Sequence, residues 1–254
     1  MGSANCSLLA VVPAYNEADS IAAVVRSLRQ HAPGFDVIVI DDGSTDDTPK
    51  NGAEAGADVV RLPFNLGIGA AVQTGFQYAL EHGYDYMAQV DGDGQHEPAE
   101  LDALLIAITA DPSVDMVCGS RFLSPDTAYS APVSRRTGIH LFAFALSKIL
   151  GQRVTDPTSG FRIYNRRAIR LFARDYPHDY PEVEAVLMLH THRLRMVEVP
   201  VEMHQRGTGR SSITRTRSLY YMLKVSLAVL VGLLRRHPVV GPGDPAPVTA
   251  TRRI

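Results

Sequence analysis

Short apolar runs alternate with segments of helical periodicity over roughly the first half of the chain. The runs typical of strands are Leu8–Val12, Asp36–Ile40, Val59–Leu62, Tyr86–Val90 and Asp115–Cys118. The segments typical of helices are Ser20–Leu28, one that begins at Thr45 or Asp46, Gly69–Leu80 and Glu97–Ala107. Strands and helices that alternate in this way build a mostly parallel sheet with helices on both faces. The sequence therefore predicts the α/β class.

Polar, acidic or glycine-bearing segments follow four of the predicted strands. They are Pro13–Glu17, Asp41–Ser44, Pro63–Gly67 and Asp91–Asp93. In open parallel sheets the carboxyl ends of the strands share one edge, and ligands bind there. We therefore expect these four segments to form a single site.

Asp91-Gly92-Asp93 presents two carboxylates, two residues apart, directly after a buried run. Hard oxygen ligands suit Mg²⁺ or Mn²⁺, which proteins commonly hold with one or two carboxylates together with substrate phosphates. A solvated Asp-Gly turn gives the same local pattern. The three other polar strand ends favour the metal and ligand site.

Net charge, cysteine spacing and the N-terminal segment bear on the partners and the compartment of the protein. A net charge of −2 gives no indication of a nucleic-acid partner. Cys6 and Cys118 are far apart and lack metal-ligand spacing, which is typical of a protein in a reducing compartment. The N-terminus has neither a basic region nor a long apolar segment, so we expect no signal peptide.

The second half of the chain is less regular. Gly138–Leu150 and Glu182–His190 are predicted helices, Met196–Val201 a predicted strand, and Thr155–Arg162 a polar loop. The segment Leu219–Leu234 is almost wholly apolar. As a helix it would be roughly 24 Å long, which is shorter than the helix of ~20 residues that crosses a bilayer.

Four motifs, taken in order, resemble the family 2 glycosyltransferases of the GT-A fold: Val12–Glu17, Val39–Asp46, Asn65–Gly69 and Asp91–Asp93. Later motifs resemble the branch that contains the dolichyl-phosphate mannose and glucose synthases, which make polyprenyl-phosphate hexoses. These later motifs are Gly119–Arg121, Asp156–Arg162 and Glu198–Val201. The resemblance covers almost the whole chain apart from the C-terminal tail, and it implies a Rossmann-like sheet sandwiched by helices.

The resemblance also implies an organisation along the chain. Residues 1–120 are expected to form the half that binds the nucleotide sugar, and residues 121–217 the half that binds the acceptor. The apolar run itself predicts an apolar or amphipathic helix over residues 218–236, and the Pro- and Gly-rich composition after it predicts a disordered tail over 237–254. Arginines flank this helix, which favours contact with anionic headgroups or with a small integral-membrane partner. The alternative is a core helix that closes the sheet.

The implied activity is transfer of a hexose, with inversion, from a UDP- or GDP-sugar to a polyprenyl phosphate at the cytosolic membrane face. The donor-site residues that the resemblance implies are Pro13, Tyr15, Glu17, Ile40, Asp42, Asn65, Gly67, Asp91, Gly92 and Asp93. Asp42 would accept hydrogen bonds from N–H groups of the base, and Asp91 would face the ribose or the sugar. Asp93 and Gln95 would hold Mg²⁺ or Mn²⁺.

Arginines complete the implied catalytic set of Asp91, Asp93, Arg121 and Arg206. Arg121 would meet phosphate near the donor, and Arg206 would clamp the diphosphate. The implied acceptor-site residues are Arg135, Arg136, Asp156, Ser159 and Arg210. The mannose branch usually has a lysine six residues after the clamping arginine, where this chain has Ser212. This difference leaves the hexose open.

Three alternatives remain at this stage. A soluble family 2 enzyme that glycosylates a hydroxyl would need a general base, for which Asp156 and Glu184 are candidates. A nucleotidyltransferase would have a glycine-rich loop with Arg and Lys after the first strand, and Pro13–Glu17 contains neither. A non-catalytic subunit that binds nucleotide sugars would not need the Asp-x-Asp pair.

Overall fold

The computed structural model describes residues 6–123, residues 143–178 apart from Ala145, and residues 181–203. The strands in these ranges are β1 Leu8–Ala14, β2 Phe35–Asp41, β3 Asp58–Arg61, β4 Tyr86–Gln89, β5 Val114–Ser120, β6 Arg162–Asn165 and β7 Arg195–Pro200. The helices are α1 Ile21–His31, α2 Thr48–Glu54, α3 Ile68–Glu81, α4 Leu101–Ala110, α5 Arg166–Arg174 and α6 Pro181–Thr191.

These strands form one sheet in the order β3-β2-β1-β4-β6-β5-β7. β1 pairs in parallel with β2 and β4, β2 with β3, and β5 with β7. Only β6, among the strands described, is antiparallel to its neighbours β4 and β5. The predicted α/β class with a mostly parallel sheet is therefore confirmed.

Both faces of the sheet are buried. In β1, Leu9 and Val11 pack into the cluster that contains α3, α5 and α6, whereas Ala10 and Val12 pack into the cluster that contains α1 and α4. Successive side chains of a strand point to opposite faces, so a strand covered on both sides must be apolar at every position. This requirement explains why the predicted strands are continuous apolar runs.

The sequence pattern predicts neither β6 nor α5. Arg162, predicted at the end of a polar loop, begins a strand and is fully buried. α5 is rich in arginine, but its buried face includes Ile169 and Phe172. Asn165 joins the two elements, because its side chain accepts the backbone N–H groups of Arg167 and Ala168 at the start of α5.

Two predicted helix starts were too early. Pro98–Glu100 forms a 3-10 turn, and α4 begins only after it, at Leu101. α2 begins at Thr48, where the Asp46 carboxylate accepts the Thr48 backbone N–H. Side-chain bonds of this kind compete with the helix for the backbone.

No helix in the part of the chain that the structure describes is long and apolar enough to span a membrane. The predicted helix over residues 218–236 and the predicted tail over residues 237–254 lie outside that part. Of the predicted helix Gly138–Leu150, residues 143, 144 and 146–150 are described and are helical.

Candidate active site

The ends of β1 to β4 meet at one edge of the sheet, as the sequence predicted. The Asn16 backbone N–H donates to Ser44 Oγ at 2.9 Å, and the Thr45 N–H donates to Asn16 Oδ1 at 2.9 Å. These bonds join the loops that follow β1 and β2. The Ser20 hydroxyl donates to the Gly92 carbonyl at 2.7 Å, which ties the β1 side to the turn after β4.

Asp42 joins the loop after β2 to the loop after β3. Its carboxylate is buried and accepts the backbone N–H of Leu66 at 2.8 Å and of Gly67 at 2.9 Å. The close approach requires glycine at position 43, where φ is +72° and a Cβ would lie 2.6 Å from the Phe64 carbonyl carbon. Asn65 and Gly67, both predicted donor-site residues, therefore lie in a loop that Asp42 holds.

The other residues predicted to line the nucleotide pocket differ in exposure. Tyr15 extends from the end of β1 with 44% of its surface exposed, whereas Pro13 is buried. Glu17 is half-buried, and its backbone N–H donates to Thr48 Oγ1 at 2.8 Å. The Ile40 side chain is fully buried in the core and does not reach the surface of the site.

Asp93 and Gln95 lie in the turn that follows β4. The Gln95 backbone N–H donates to Asp93 Oδ1 at 3.0 Å, and both side chains are half-buried. Within the described ranges, no group of three or more His, Cys, Asp or Glu side chains could hold a metal ion by itself. A carboxylate and an amide oxygen nevertheless fit Mg²⁺ or Mn²⁺, because these ions accept few protein ligands when substrate phosphates supply the others.

His96 is a buried neighbour of Asp91 that the sequence analysis did not select. Its Nδ1 accepts the Asp91 backbone N–H at 3.0 Å, and its Nε2 lies 3.5 Å from Asp91 Oδ2. Burial lowers the pKa of His96 to about 4, although the charge of Asp93 opposes the shift. The ring is therefore neutral near pH 7.

Arg121 and Asp156, predicted for the donor phosphate and the acceptor respectively, are paired with each other. Arg121 Nε donates to Asp156 Oδ2 at 2.6 Å, and Arg121 Nη2 donates to Asp156 Oδ1 at 2.8 Å. Arg121 Nη2 also donates to the Thr158 hydroxyl at 2.9 Å. The pair joins the end of β5 to the polar loop that leads into β6.

The sequence pattern of glycosyl transferase family 2 matches residues 9–172, which include every strand exit described above. The chain belongs to glycosyl transferase family 2. It is 32% identical to an undecaprenyl-phosphate mannosyltransferase of Micrococcus luteus, over 82% of this chain and 87% of that protein. It is 31% identical to a polyprenol monophosphomannose synthase of Mycolicibacterium smegmatis, over 90% of this chain and 89% of that protein.

The fold of this family 2 glycosyltransferase is also that of a solved enzyme. Glucosyl-3-phosphoglycerate synthase from Mycobacterium tuberculosis, in complex with Mn²⁺, UDP-glucose and phosphoglyceric acid, superposes with a TM-score of 0.68. The two sequences are 20% identical over 89% of this chain and 79% of the other. This shared architecture confirms the predicted GT-A fold.

The polar loop of the glycosyltransferase is anchored at both ends. The Glu198 carboxylate accepts the backbone N–H of Thr155 at 2.8 Å and of Asp156 at 2.9 Å. At the other end, Arg162 donates to the Ser159 carbonyl at 2.8 Å and to the Glu182 carbonyl at 2.7 Å. Ser159, a predicted acceptor residue, is thereby buried within the loop.

The sequence signals for these anchors were present but were not assigned a role. Glu198 and Arg162 each end or begin a motif that carried the family resemblance. Four further predicted residues lie outside the described part of the chain: Arg135, Arg136, Arg206 and Arg210. Their predicted roles stay predictions.

Proposed function

We propose that this family 2 glycosyltransferase transfers a hexose, with inversion, from a UDP- or GDP-sugar to a polyprenyl phosphate at the cytosolic face of a membrane. The observation that carries this proposal is the similarity to two enzymes whose names specify polyprenyl or undecaprenyl phosphate and mannose. The similarity extends over more than 80% of each chain in both comparisons. A third relative, from Methanococcus voltae, is named as an N-acetylglucosaminyltransferase to dolichyl phosphate and is 29% identical, so the hexose stays open.

The donor half of the site supports a nucleotide sugar. Each oxygen of the Asp42 carboxylate accepts one backbone N–H, and a carboxylate oxygen has a second lone pair for an N–H of uracil or guanine. Asp91, at the end of β4 on the other side of β1, would accept hydrogen bonds from hydroxyl groups of the ribose or the sugar. Tyr15 offers an exposed ring at the same edge.

Asp93 and Gln95 are the residues that would hold a divalent metal ion. When bound, the ion would stabilise negative charge on the departing nucleoside diphosphate. Two hydrogen bonds fix the turn that carries these residues. The Gln95 backbone N–H donates to the Asp93 carboxylate, and the Ser20 hydroxyl donates to the Gly92 carbonyl between the two aspartates.

The environment of Asp156 favours an acceptor that already carries its negative charge. A sugar hydroxyl needs a general base, but Asp156 is fully buried and accepts two hydrogen bonds from the Arg121 guanidinium. A polyprenyl phosphate is ionised near pH 7 and needs no strong base. The pairing of Asp156 therefore supports the phosphate acceptor over the soluble alternative in which Asp156 is the base.

Membrane association completes the proposal. A polyprenyl phosphate resides in a bilayer, so the enzyme must approach the membrane surface. The predicted helix over residues 218–236 would make this contact, directly or through a small integral-membrane partner; this segment lies outside the described residues.

Transfer of a labelled sugar tests the proposal. Purified enzyme with Mn²⁺ is given UDP- and GDP-hexoses and one of three acceptors: undecaprenyl phosphate, undecaprenol, or a soluble saccharide. We expect label to enter the organic phase only with undecaprenyl phosphate. Transfer to the saccharide instead would overturn the lipid acceptor, and calorimetric titration with UDP and GDP would identify the nucleotide.

A further inference from the structure

The turn after β4 brings a histidine ring against the first aspartate of the Asp-x-Asp pair. Only 6% of the His96 surface is exposed, and its ring packs on Phe161 with the ring centroids 4.9 Å apart. The His96 backbone also pairs with Met203 in an isolated β-bridge. These contacts leave the ring little freedom to move away from Asp91.

The hydrogen bond to Nδ1 decides where the proton of the neutral ring lies. Nδ1 accepts the Asp91 backbone N–H at 3.0 Å, so it presents a lone pair. A neutral imidazole carries its one proton on the other nitrogen. Nε2 is therefore an N–H donor, and it faces Asp91 Oδ2 at 3.5 Å. At 3.5 Å this is a charge–dipole contact, longer than an ordinary hydrogen bond.

A second element confines the same carboxylate from the loop before β6. A Cβ atom at Gly160 would lie 3.0 Å from Asp91 Oδ2 and 3.1 Å from Oδ1. Contacts that short require the neighbour to move. The absence of a side chain at position 160 thus lets the backbone of the loop approach Asp91 closely. The carboxylate is held between the His96 ring and the Gly160 backbone.

We propose that His96 is a positioning residue for the donor reaction: it fixes the Asp91 backbone through Nδ1 and orients the Asp91 carboxylate through Nε2–H toward the hydroxyl groups of the nucleotide sugar. This inference rests on the proposed role of Asp91 in donor binding. His96 itself touches neither the leaving group nor the acceptor in this role. Its effect is to hold the Asp91 carboxylate in the orientation that the hydroxyl groups of the nucleotide sugar require.

Two conservative variants separate the two nitrogen positions. His96→Asn keeps an acceptor near Nδ1 but removes the donor near Nε2. His96→Gln places an amide donor near Nε2 and removes the acceptor near Nδ1. His31→Asn is the matched control, because His31 is exposed on α1 and its ring is hydrogen-bonded to Ser27 on the same helix.

The dissociation constant of the nucleotide sugar and the kcat and KM for donor hydrolysis are measured for each variant, with Mn²⁺ and without acceptor. We expect His96→Asn to weaken donor binding about tenfold through loss of the Nε2–H donor. We expect His96→Gln to weaken it less, by about threefold, through loss of the acceptor for the Asp91 backbone N–H. His31→Asn is expected to match the wild type. A purely structural role predicts instead that both His96 variants lose activity in proportion to their fall in melting temperature, and that result would overturn the proposal.

Nitrogen-15 NMR of the histidine-labelled wild-type chain tests the geometry without any variant. We expect the His96 signals to show an unprotonated Nδ1 and a protonated Nε2 near pH 7. A protonated Nδ1 would overturn the proposal even if the variants fail to fold. If the wild type binds and hydrolyses the nucleotide sugar but transfers nothing to undecaprenyl phosphate, the proposed acceptor fails while the role of His96 is judged on the donor measurements.

Discussion

Arg121 and Asp156 form a two-pronged ion pair, in which Nε and Nη2 of the guanidinium donate to the two carboxylate oxygens at 2.6 and 2.8 Å. The exposed fractions of the two side chains are 8% and 0%. Arginine suits this arrangement because its planar fork matches a carboxylate. The pair joins the end of β5 to the loop that leads into β6. In the proposed function, Asp156 would set the position from which Arg121 meets a donor phosphate.

Replacement of Arg121 by lysine removes the fork but keeps the charge. We expect Arg121→Lys to lower the free energy of unfolding by about 1–3 kcal/mol, because a buried carboxylate loses one of its partners. Urea denaturation measures the change. The control is Arg195→Lys in the exposed pair Arg195–Asp111, where the side chains are 53% and 45% exposed and the cost is at most about 1 kcal/mol. Equal decreases in the free energy of unfolding in Arg121→Lys and Arg195→Lys would contradict the prediction.

Asp42→Asn tests the carboxylate that closes the loop after β3. An asparagine must turn its NH₂ group toward the backbone N–H of Leu66 or Gly67, and a buried donor without an acceptor costs about 1–3 kcal/mol. We expect at least tenfold weaker binding of UDP or GDP by calorimetry. Asp47→Asn is the control, since Asp47 is exposed and its side chain makes no capping bond to α2. Unchanged nucleotide affinity in Asp42→Asn would remove Asp42 from the donor site.

Removal of divalent metal is expected to abolish transfer. Chelation with EDTA should stop the reaction and added Mn²⁺ should restore it, because a cation stabilises the charge of the departing diphosphate. In Asp93→Asn we expect kcat to fall at least about 100-fold, and we expect a higher Mn²⁺ concentration to be needed for half-maximal activity. Asp102→Asn, on the exposed side of α4, should behave like the wild type. Full activity of Asp93→Asn at limiting Mn²⁺ would place the metal elsewhere.

Gly160→Ala is expected to disturb Asp91 without altering a charge. The new Cβ would press on both carboxylate oxygens, at 3.0 and 3.1 Å. We expect kcat/KM for the nucleotide sugar to fall about tenfold, with a loss of stability of about 1–3 kcal/mol. Gly34→Ala is the control, because among the described residues a Cβ there would come within 4 Å only of Leu8 Cδ1, at 3.7 Å. Steady-state kinetics is measured with both variants. Equal kcat/KM values would show that the contact between position 160 and Asp91 has no effect on use of the nucleotide sugar.

Most of the first half of the fold could be predicted because strands such as β1 and β2 lie within a two-sided core, although β3 is a half-exposed edge strand. Burial on both faces demands continuous apolar residues, and helices such as α3 show their buried face in the spacing of Val72 and Phe76. β6 gave no such signal. It is four residues long and begins with Arg162, whose charge is compensated by carbonyl groups of Ser159 and Glu182 that are close only in the folded chain.

Local patterns are enough to predict that polar segments follow parallel strands, and therefore that Asp42 and Asp91 lie at one edge of the sheet. This inference needs only the spacing of apolar residues and the fixed direction of parallel strands. Which partners those side chains meet depends on how distant segments pack together. Asp156 is 35 positions from Arg121, and Gly160 approaches Asp91 only because β6 enters the sheet beside β4. Such pairings depend on distances between distant segments of the chain, which composition and periodicity do not encode.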